Sequence, residues 1–137
     1  MTLLVTGASG HLGRLVVEAL LDRGTAPSDI VAAVRTPDKV ADAAARGVEV
    51  RRADYDDPAS LDAALVGVDR LLLVSGTDAG RRVAQHQNVV EAAQRAGVDL
   101  LAYTSIVHAP TSDLILAQEH RETEEVIAAG LEGVTRT

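Results

Sequence analysis

Short apolar runs alternate with amphipathic segments along the whole chain. The runs have the length and continuity of strands buried on both faces of a sheet, and they cover 2–5, 30–34, 48–50, 68–74 and 98–103. The segments between them carry apolar residues at helical spacing, which predicts helices over about 12–23, 37–46, 60–66, 81–96 and 112–129. A strand and a helix that alternate in this way through short connections are typical of an α/β fold with a doubly wound parallel sheet.

The right-handed crossovers of such a fold predict the strand order 3-2-1-4-5 of a Rossmann sheet. The carboxyl ends of the strands then meet at one edge, and ligands bind where the winding reverses, between strands 1 and 4. Residues 133–137 have the pattern of the start of a sixth strand. The length predicts a single domain, residues 1–137.

Two helices have faces that we expect to pack on the sheet. The first helix presents Leu15, Val16, Ala19 and Leu20. The fourth helix presents Val83, Ala84, Val89, Val90, Ala92 and Ala93.

Composition narrows the kinds of partner. The formal net charge is −7, whereas a nucleic-acid surface should be basic, so we predict no nucleic-acid partner. Cysteine is absent and no two histidines have the spacing of a metal site, so we predict no metal. No apolar run approaches the ~20 residues of a membrane span, and the chain enters a strand at once without a leader. We expect a cytoplasmic protein with no membrane partner.

Glycines stand at positions 7, 10 and 13, where the first strand gives way to the first helix. Gly7 allows the chain to reverse, Gly10 leaves room for a pyrophosphate at the backbone, and Gly13 lets the helix lie close to the strand. The unpaired amides of the first helical turn and the positive end of its dipole would face the anion. The spacing G-x-x-G-x-x-G is a variant of the dinucleotide-binding motif, and a plain tight turn is the alternative.

The end of the second strand bears on which dinucleotide is bound. An acidic residue about 20 residues beyond the glycines takes the ribose 2′-hydroxyl in sites that prefer NAD, but this chain has Val34, Arg35 and Thr36 there. A guanidinium suits the 2′-phosphate because it offers a planar fork to a dianion. The sequence therefore predicts NADP(H) held by Arg35, with Lys39 as a second contact. The alternative for both cations is a solvated surface charge.

Asp54 and Tyr55 follow the third strand. At that edge of the sheet we expect them beside the adenine, with Asp54 accepting a hydrogen bond from the adenine amino group. The alternative for Asp54 is a helix cap or a loop charge.

Longer stretches of the sequence resemble one family. They are VTGASGHLG at the start, then VAAVRTPDK, RRADYDDPASLDAAL, LLLVSG, HQNVVEAAQRAGV, YTSIVHA and EHRETEEVI. On these stretches, which cover nearly the whole chain, it resembles the atypical short-chain dehydrogenase/reductases of the NmrA-like group, most closely the NADPH-dependent quinone oxidoreductases.

The resemblance implies NADPH bound across the strand ends and hydride transfer to a quinone or a similar small electrophile. The residues that it implies around the pyrophosphate are Gly7, Ser9, Gly10, His11 and Leu12. It implies Arg35 on the 2′-phosphate, and Ser75 and Gly76 beside the ribose of the nicotinamide half. A non-catalytic NADP sensor of the NmrA type is the alternative, and an isomerase or epimerase is a third possibility.

The catalytic residues depart from the family. Typical relatives have Tyr-x-x-x-Lys at the start of the fifth helix, where the tyrosine donates a proton to the substrate oxygen, whereas this chain has LAQEH at 116–120. Reduction of a quinone tolerates this loss, because the hydroquinone anion is well delocalised.

The remaining candidates for proton transfer are few. Tyr103, Thr104 and Ser105 supply hydroxyl groups at the end of the fifth strand, and His120 would hold the ribose or relay a proton near neutral pH. The alternatives are a Tyr103 that only packs and a surface His120 paired with Glu124 one turn later.

The resemblance stops after Val134. Relatives of this kind continue with a further strand and a carboxyl-terminal region that supplies much of the quinone pocket, so we expect a truncated chain without that region. The edge of the fifth strand and the apolar flank of the fifth helix would then lack their cover, which favours a homo-oligomer.

Overall fold

The computed structural model describes residues 1–131. They form a sheet of five parallel strands in the order β3-β2-β1-β4-β5, which confirms the predicted topology. The strands are β1 (Leu3–Val5), β2 (Ile30–Val34), β3 (Glu49–Arg52), β4 (Arg70–Leu73) and β5 (Leu100–Tyr103). The helices are α1 (His11–Asp22), α2 (Ala41–Ala45), α3 (Pro58–Ala64), α4 (Arg82–Ala96) and α5 (Ile115–Gly130), with 3₁₀ turns at Pro27–Asp29 and Pro37–Val40. The expected sixth strand at 133–137 lies outside the described residues.

Helices cover both faces of the sheet, because alternate strand residues point to opposite sides. Leu4, Val31 and Leu71 belong to a core shared with α3 and α4. Val5 and Ala32 belong to a second core, shared with α1 and the turn before α2. β2 is buried along its whole length, as expected for the middle of a parallel sheet.

The strand ends make a notch at the carboxyl edge. Val5, the last residue of β1, pairs with Ala32 of β2 and with Leu72 of β4, so both neighbours continue beyond it. The chain that leaves β1 therefore turns between two longer strands. This is the point at which a doubly wound sheet binds its ligands.

Some expected helix faces are wrong in detail. In α1 the buried residues are Gly13 and Val17, whereas Leu15 is 48% exposed. The close approach of Gly13 to the glycine loop decides which side of α1 is buried, and Val17 is buried as well because it lies one turn later on that side. Ala84 of α4 is also exposed, and polar residues occupy the buried positions around it.

No helix among residues 1–131 has both the length and the apolar character needed to cross a membrane. Leu100 of β5 and Ile115 of α5 are exposed. Self-association through this region stays a prediction.

Candidate dinucleotide-binding site

The glycine loop is held in one conformation by its own backbone. Gly7 has φ +59°, in the left-handed region, and its carbonyl accepts a hydrogen bond from the Gly10 amide at 2.9 Å. A Cβ on Gly13 would lie 2.3 Å from the Gly7 carbonyl oxygen. The Ala8 amide donates to the Ala33 carbonyl at 3.3 Å, which links the loop to β2. Positions 7 and 13 therefore require glycine for the reasons that the sequence suggested.

The amino end of α1 is open to an anion. Its N-cap is Gly10, which offers no side-chain acceptor, and no acidic residue stands in the first turn. Within residues 1–131, the amides of His11, Leu12 and Gly13 donate to no protein group. Free amides at the positive end of a helix dipole are the elements of a phosphate site.

Basic side chains stand near the end of β2. Arg35 and Lys39 are exposed. Lys39, Arg14 and Arg46 line a cleft of about 100 Å³ between α1 and α2, which also reaches Ala8 of the glycine loop. Glu18 and Asp42 line it as well, so the cleft holds three cations and two carboxylates.

The residues after β3 turn inward. Burial raises the pKa of Tyr55 to about 12, while the hydrogen bond to Thr6 and the positive charge of Arg35 act in the opposite direction. Asp54 Oδ1 accepts a hydrogen bond from the Asp56 amide at 2.9 Å, so Asp54 shapes the loop. The adenine contact of both residues stays a prediction.

A closed ring of hydrogen bonds surrounds Val74, the first residue after β4. Its amide donates to Thr6 Oγ1 at 2.9 Å, and its carbonyl accepts from the Tyr55 hydroxyl at 2.6 Å. The two hydroxyl oxygens are 2.7 Å apart, so the Thr6 hydroxyl can donate to Tyr55 and complete the ring. Tyr55 therefore directs its hydroxyl at the sheet edge between β1 and β4.

Gly76 is held by two side chains of α4. Its amide donates to His86 Nε2 at 2.9 Å, and its carbonyl accepts from Arg82 Nε at 2.7 Å. Arg82 also pairs with Glu119 of α5, whose other carboxylate oxygen accepts from the Gly80 amide at 2.6 Å. Helices α4 and α5 are both linked in this way to the segment after β4.

The protonation of His86 follows from its partners. An amide can only donate, so Nε2 accepts and Nδ1 carries the hydrogen. Nδ1 then donates to Thr123 Oγ1 at 2.9 Å, and the Thr123 hydroxyl donates to the Glu119 carbonyl at 2.9 Å. Burial lowers the pKa of His86 to about 4, helped by the charges of Arg82 and His120.

All four candidates for proton transfer lie near the end of β5, where Thr104 Oγ1 accepts a hydrogen bond from the Ser75 amide at 2.8 Å. The Tyr103 hydroxyl and His120 Nδ1 are 2.5 Å apart, and His120 is 3% exposed. The idea of a surface histidine at 120 is therefore wrong, because α5 turns this side chain toward β5. Burial raises the pKa of Tyr103 to about 12 and lowers that of His120. Ser105 is exposed, and its hydroxyl donates to Glu124 Oε1 at 2.6 Å.

Sequence reasoning missed the buried polar side chains that support this edge. The buried ones are Thr6, Arg82, His86 and Thr123, and the half-buried Glu119 joins them. One signal was available, because Arg82, Gln85, His86, Val89, Val90 and Ala93 follow helical spacing and form one buried face of α4. Within residues 1–131, no three histidine or acidic side chains come together as a metal site would require.

The glycine loop, the open end of α1 and the parallel sheet define a dinucleotide-binding domain of the Rossmann type. The sequence profile of the NAD(P)H-binding domain family matches residues 7–133, and the chain belongs to this family. Among curated proteins, quinone oxidoreductase 2 of Escherichia coli is 52% identical over 124 residues, which are 90% of this chain and 43% of that protein. An NmrA-like oxidoreductase of Aspergillus flavus is 34% identical, over 93% of this chain and 43% of that protein.

Solved structures of reductases with bound NADPH or NADP(H) are also similar to this chain. An NADPH-dependent quinone oxidoreductase of Escherichia coli complexed with NADPH has a TM-score of 0.91 and 50% identity, over 94% of this chain and 45% of that one. The triphenylmethane reductase of Citrobacter sp. complexed with NADP(H) has a TM-score of 0.90 and 42% identity, over 95% and 46%. The chain thus spans less than half the length of these relatives.

Proposed function

We propose that this chain binds NADPH and acts in hydride transfer to a quinone or a similar small electrophile. The observation that carries the proposal is the open amino end of α1, where the first-turn amides within residues 1–131 have no protein acceptor. The relatives complexed with NADPH and NADP(H) support the same cofactor. When bound, NADPH supplies the hydride.

The pyrophosphate would lie against the glycine loop and the first turn of α1. Its contacts would be Gly7, Ser9, Gly10, His11, Leu12 and Gly13. Glycine at 10 keeps the backbone uncovered, since a Cβ there would be 3.3 Å from the Gly7 carbonyl oxygen and would stand over the loop. Backbone amides recognise phosphate charge and not its substituents, so this part of the site binds NAD and NADP alike.

Arg35 is the residue that we expect to select the phosphorylated cofactor. It follows β2 at the carboxyl edge, and Lys39 lines the neighbouring cleft beside the glycine loop. A guanidinium can bind the 2′-phosphate through two parallel hydrogen bonds. Asp54 and Tyr55 would border the adenine, and Ser75 and Gly76 the ribose of the nicotinamide half.

The Arg35→Ala variant tests this role. Loss of charge-assisted hydrogen bonds should weaken NADPH by roughly tenfold to a hundredfold, while the affinity for NADH should stay unchanged. Arg46→Ala is a control that also removes a guanidinium, because Arg46 stands at the end of α2 and pairs with Asp22 at 3.7 Å. Calorimetric titration of both cofactors into each variant measures the effect. Equal losses for NADPH and NADH in Arg35→Ala would refute the assignment.

Proton delivery to the reduced substrate would come from the end of β5. Ser105 is exposed there, and Tyr103 forms a short hydrogen bond with His120 of α5. We propose Ser105 as the group nearest to a substrate, with the half-buried Tyr103 and the buried His120 as the other candidates for proton transfer. Ser105→Ala should lower kcat for quinone reduction without changing NADPH affinity.

A non-catalytic NADP sensor is the second candidate. The observation in its favour is that Glu119 and His120, in the segment where typical relatives carry catalytic residues, are engaged in internal hydrogen bonds. Oxidation of NADPH in the presence of a panel of quinones separates the two functions. A sensor binds NADPH with no turnover, whereas the proposed enzyme oxidises it only when a quinone is added.

A further inference from the structure

The segment after β4 is fastened almost entirely by side chains. It comprises Val74, Ser75 and Gly76, and each of these residues brings a backbone amide and a backbone carbonyl. The two groups of Val74 bond to Thr6 and Tyr55, the Ser75 amide bonds to Thr104 Oγ1 at 2.8 Å, and the two groups of Gly76 bond to His86 and Arg82. Within the described chain, the Ser75 carbonyl is the backbone polar group of this segment that keeps no protein partner.

We propose that His86 is a positioning residue for the nicotinamide half of the site, because it fixes the backbone of Gly76 and thereby the direction of the free Ser75 carbonyl. The inference rests on the proposed binding of NADPH. The ligand group that this carbonyl would meet is a hydrogen-bond donor of the nicotinamide riboside, either a ribose hydroxyl or the carboxamide.

The place of the segment supports this role. A Cβ on Gly7 would lie 3.6 Å from the Cβ of Val74, so the segment borders the glycine loop directly. The two therefore share the carboxyl edge between β1 and β4, where a dinucleotide crosses the sheet. A ligand whose pyrophosphate lies on one of them reaches the other with its nicotinamide end.

The ring of His86 can hold only one orientation. It is fully buried, and both ring nitrogens are used, Nε2 by Gly76 and Nδ1 by Thr123. A flip of the ring would break both hydrogen bonds. The position of Gly76 is therefore set by α5, through Thr123, as well as by α4.

There is little room for Gly76 to find another arrangement. A Cβ at this position would meet Gln85 Oε1 at 3.3 Å, His86 Nε2 at 3.6 Å and Tyr55 Cδ2 at 3.6 Å. The backbone of Gly76 is thus packed against His86, which also holds its amide, and against Gln85 and Tyr55. Without the Nε2 acceptor, the buried amide must move toward water to find a partner, because an unsatisfied buried donor costs about 1–3 kcal/mol.

Two variants of similar size separate positioning from general structure. His86→Gln keeps an acceptor oxygen that can reach the Gly76 amide, whereas His86→Asn keeps a donor at the place of Nδ1 but does not reach Gly76. Binding of NADPH is compared with binding of adenosine 2′,5′-bisphosphate, which has the adenine and the 2′-phosphate but no nicotinamide half. We expect His86→Asn to weaken NADPH by roughly tenfold, with the bisphosphate unchanged and with His86→Gln close to wild type.

The outcomes are distinct. If His86→Asn binds NADPH as wild type does, or if both ligands weaken equally, the positioning role is wrong. Equal loss of NADPH affinity in His86→Asn and His86→Gln would also overturn it, since the acceptor would then not matter. Thr123→Val covers the case of an unfolded His86 variant: it removes the partner of Nδ1, which is one of the two groups that hold the ring, and should weaken NADPH but not the bisphosphate. A wild-type chain that binds neither ligand would instead overturn the proposed function.

Discussion

Gly13→Ala is the most direct test of how the glycine loop and α1 are joined. The added Cβ would lie 2.3 Å from the Gly7 carbonyl oxygen, 2.7 Å from the Gly7 carbonyl carbon and 2.9 Å from the Ala8 Cα. All three are backbone atoms, so no side chain can rotate away. Ordinary contact begins at 3.4 Å, and α1 must therefore move by about 1 Å relative to the loop.

Two effects of the substitution oppose each other. Alanine in place of glycine favours a helix by about 1 kcal/mol, whereas forced overpacking costs about 1–3 kcal/mol and more where the backbone is fixed. We expect the clash to win, with a net loss of about 2 kcal/mol in the free energy of unfolding. The first-turn amides move with the helix, so affinity for NADPH should fall as well.

Urea unfolding of wild type and variant measures the first quantity, and calorimetry with NADPH the second. Gly10→Ala is the matched control, because a Cβ there has a single near neighbour, the Gly7 carbonyl oxygen at 3.3 Å. It should change stability by less than about 1 kcal/mol. A Gly13→Ala protein as stable as wild type, or more stable, would show that helix propensity outweighs the contact and would refute the reasoning.

Three further predictions concern stability. Lowering the pH from 7 to 5 should reduce the free energy of unfolding by about 2 kcal/mol because of His86. The pKa of His86 is about 4 in the folded protein and 6.5 in the unfolded chain, so the unfolded chain takes up the proton first as the pH falls. Between these two pH values, the urea midpoint should change less in His86→Gln than in the wild type. An equal change in both proteins would show that His86 is not the source of the pH dependence. Tyr55→Phe should cost about 1–2 kcal/mol, because the Val74 carbonyl loses its donor; an unchanged urea midpoint would count against the hydrogen-bonded ring. His108 has φ 56°, so His108→Val should be less stable than His108→Gly by about 1 kcal/mol, and equal melting temperatures would show that the loop relaxes.

The fold could be predicted from the sequence because its determinants are local. Each strand is a continuous apolar run and each helix has its own periodicity, so the order of elements follows without knowledge of distant contacts. The ends of the strands were less certain. Val98 belongs to the apolar run of the fifth strand, but β5 begins at Leu100, where pairing with Arg70 of β4 begins. Pairing is a property of two strands, and a single run cannot show where it starts.

The candidate site also has some features that could be predicted from the sequence and others that could not. The roles of Gly7 and Gly13 in the turn were predictable, since their backbone requirements arise within one loop. The hydrogen bond between His86 and Thr123 joins residues 37 positions apart on different helices, and nothing in either helix alone indicates it. Tyr55 shows the same limit, because its place after β3 was predictable but its hydroxyl bond to Val74 depends on a strand beyond β1.

The buried face of α4 contains polar residues, although a helix that packs on a sheet usually has an apolar buried face. Its second half, with Val89 and Ala93, packs on the strands as the periodicity indicates. Its first half, with Arg82 and His86, extends past the end of β4 and meets backbone that has left the sheet. Backbone groups outside a sheet need partners, and apolar side chains cannot supply them. One helix face therefore changes from packing to hydrogen bonding where the sheet ends, and it couples the core to the edge at which we place the cofactor.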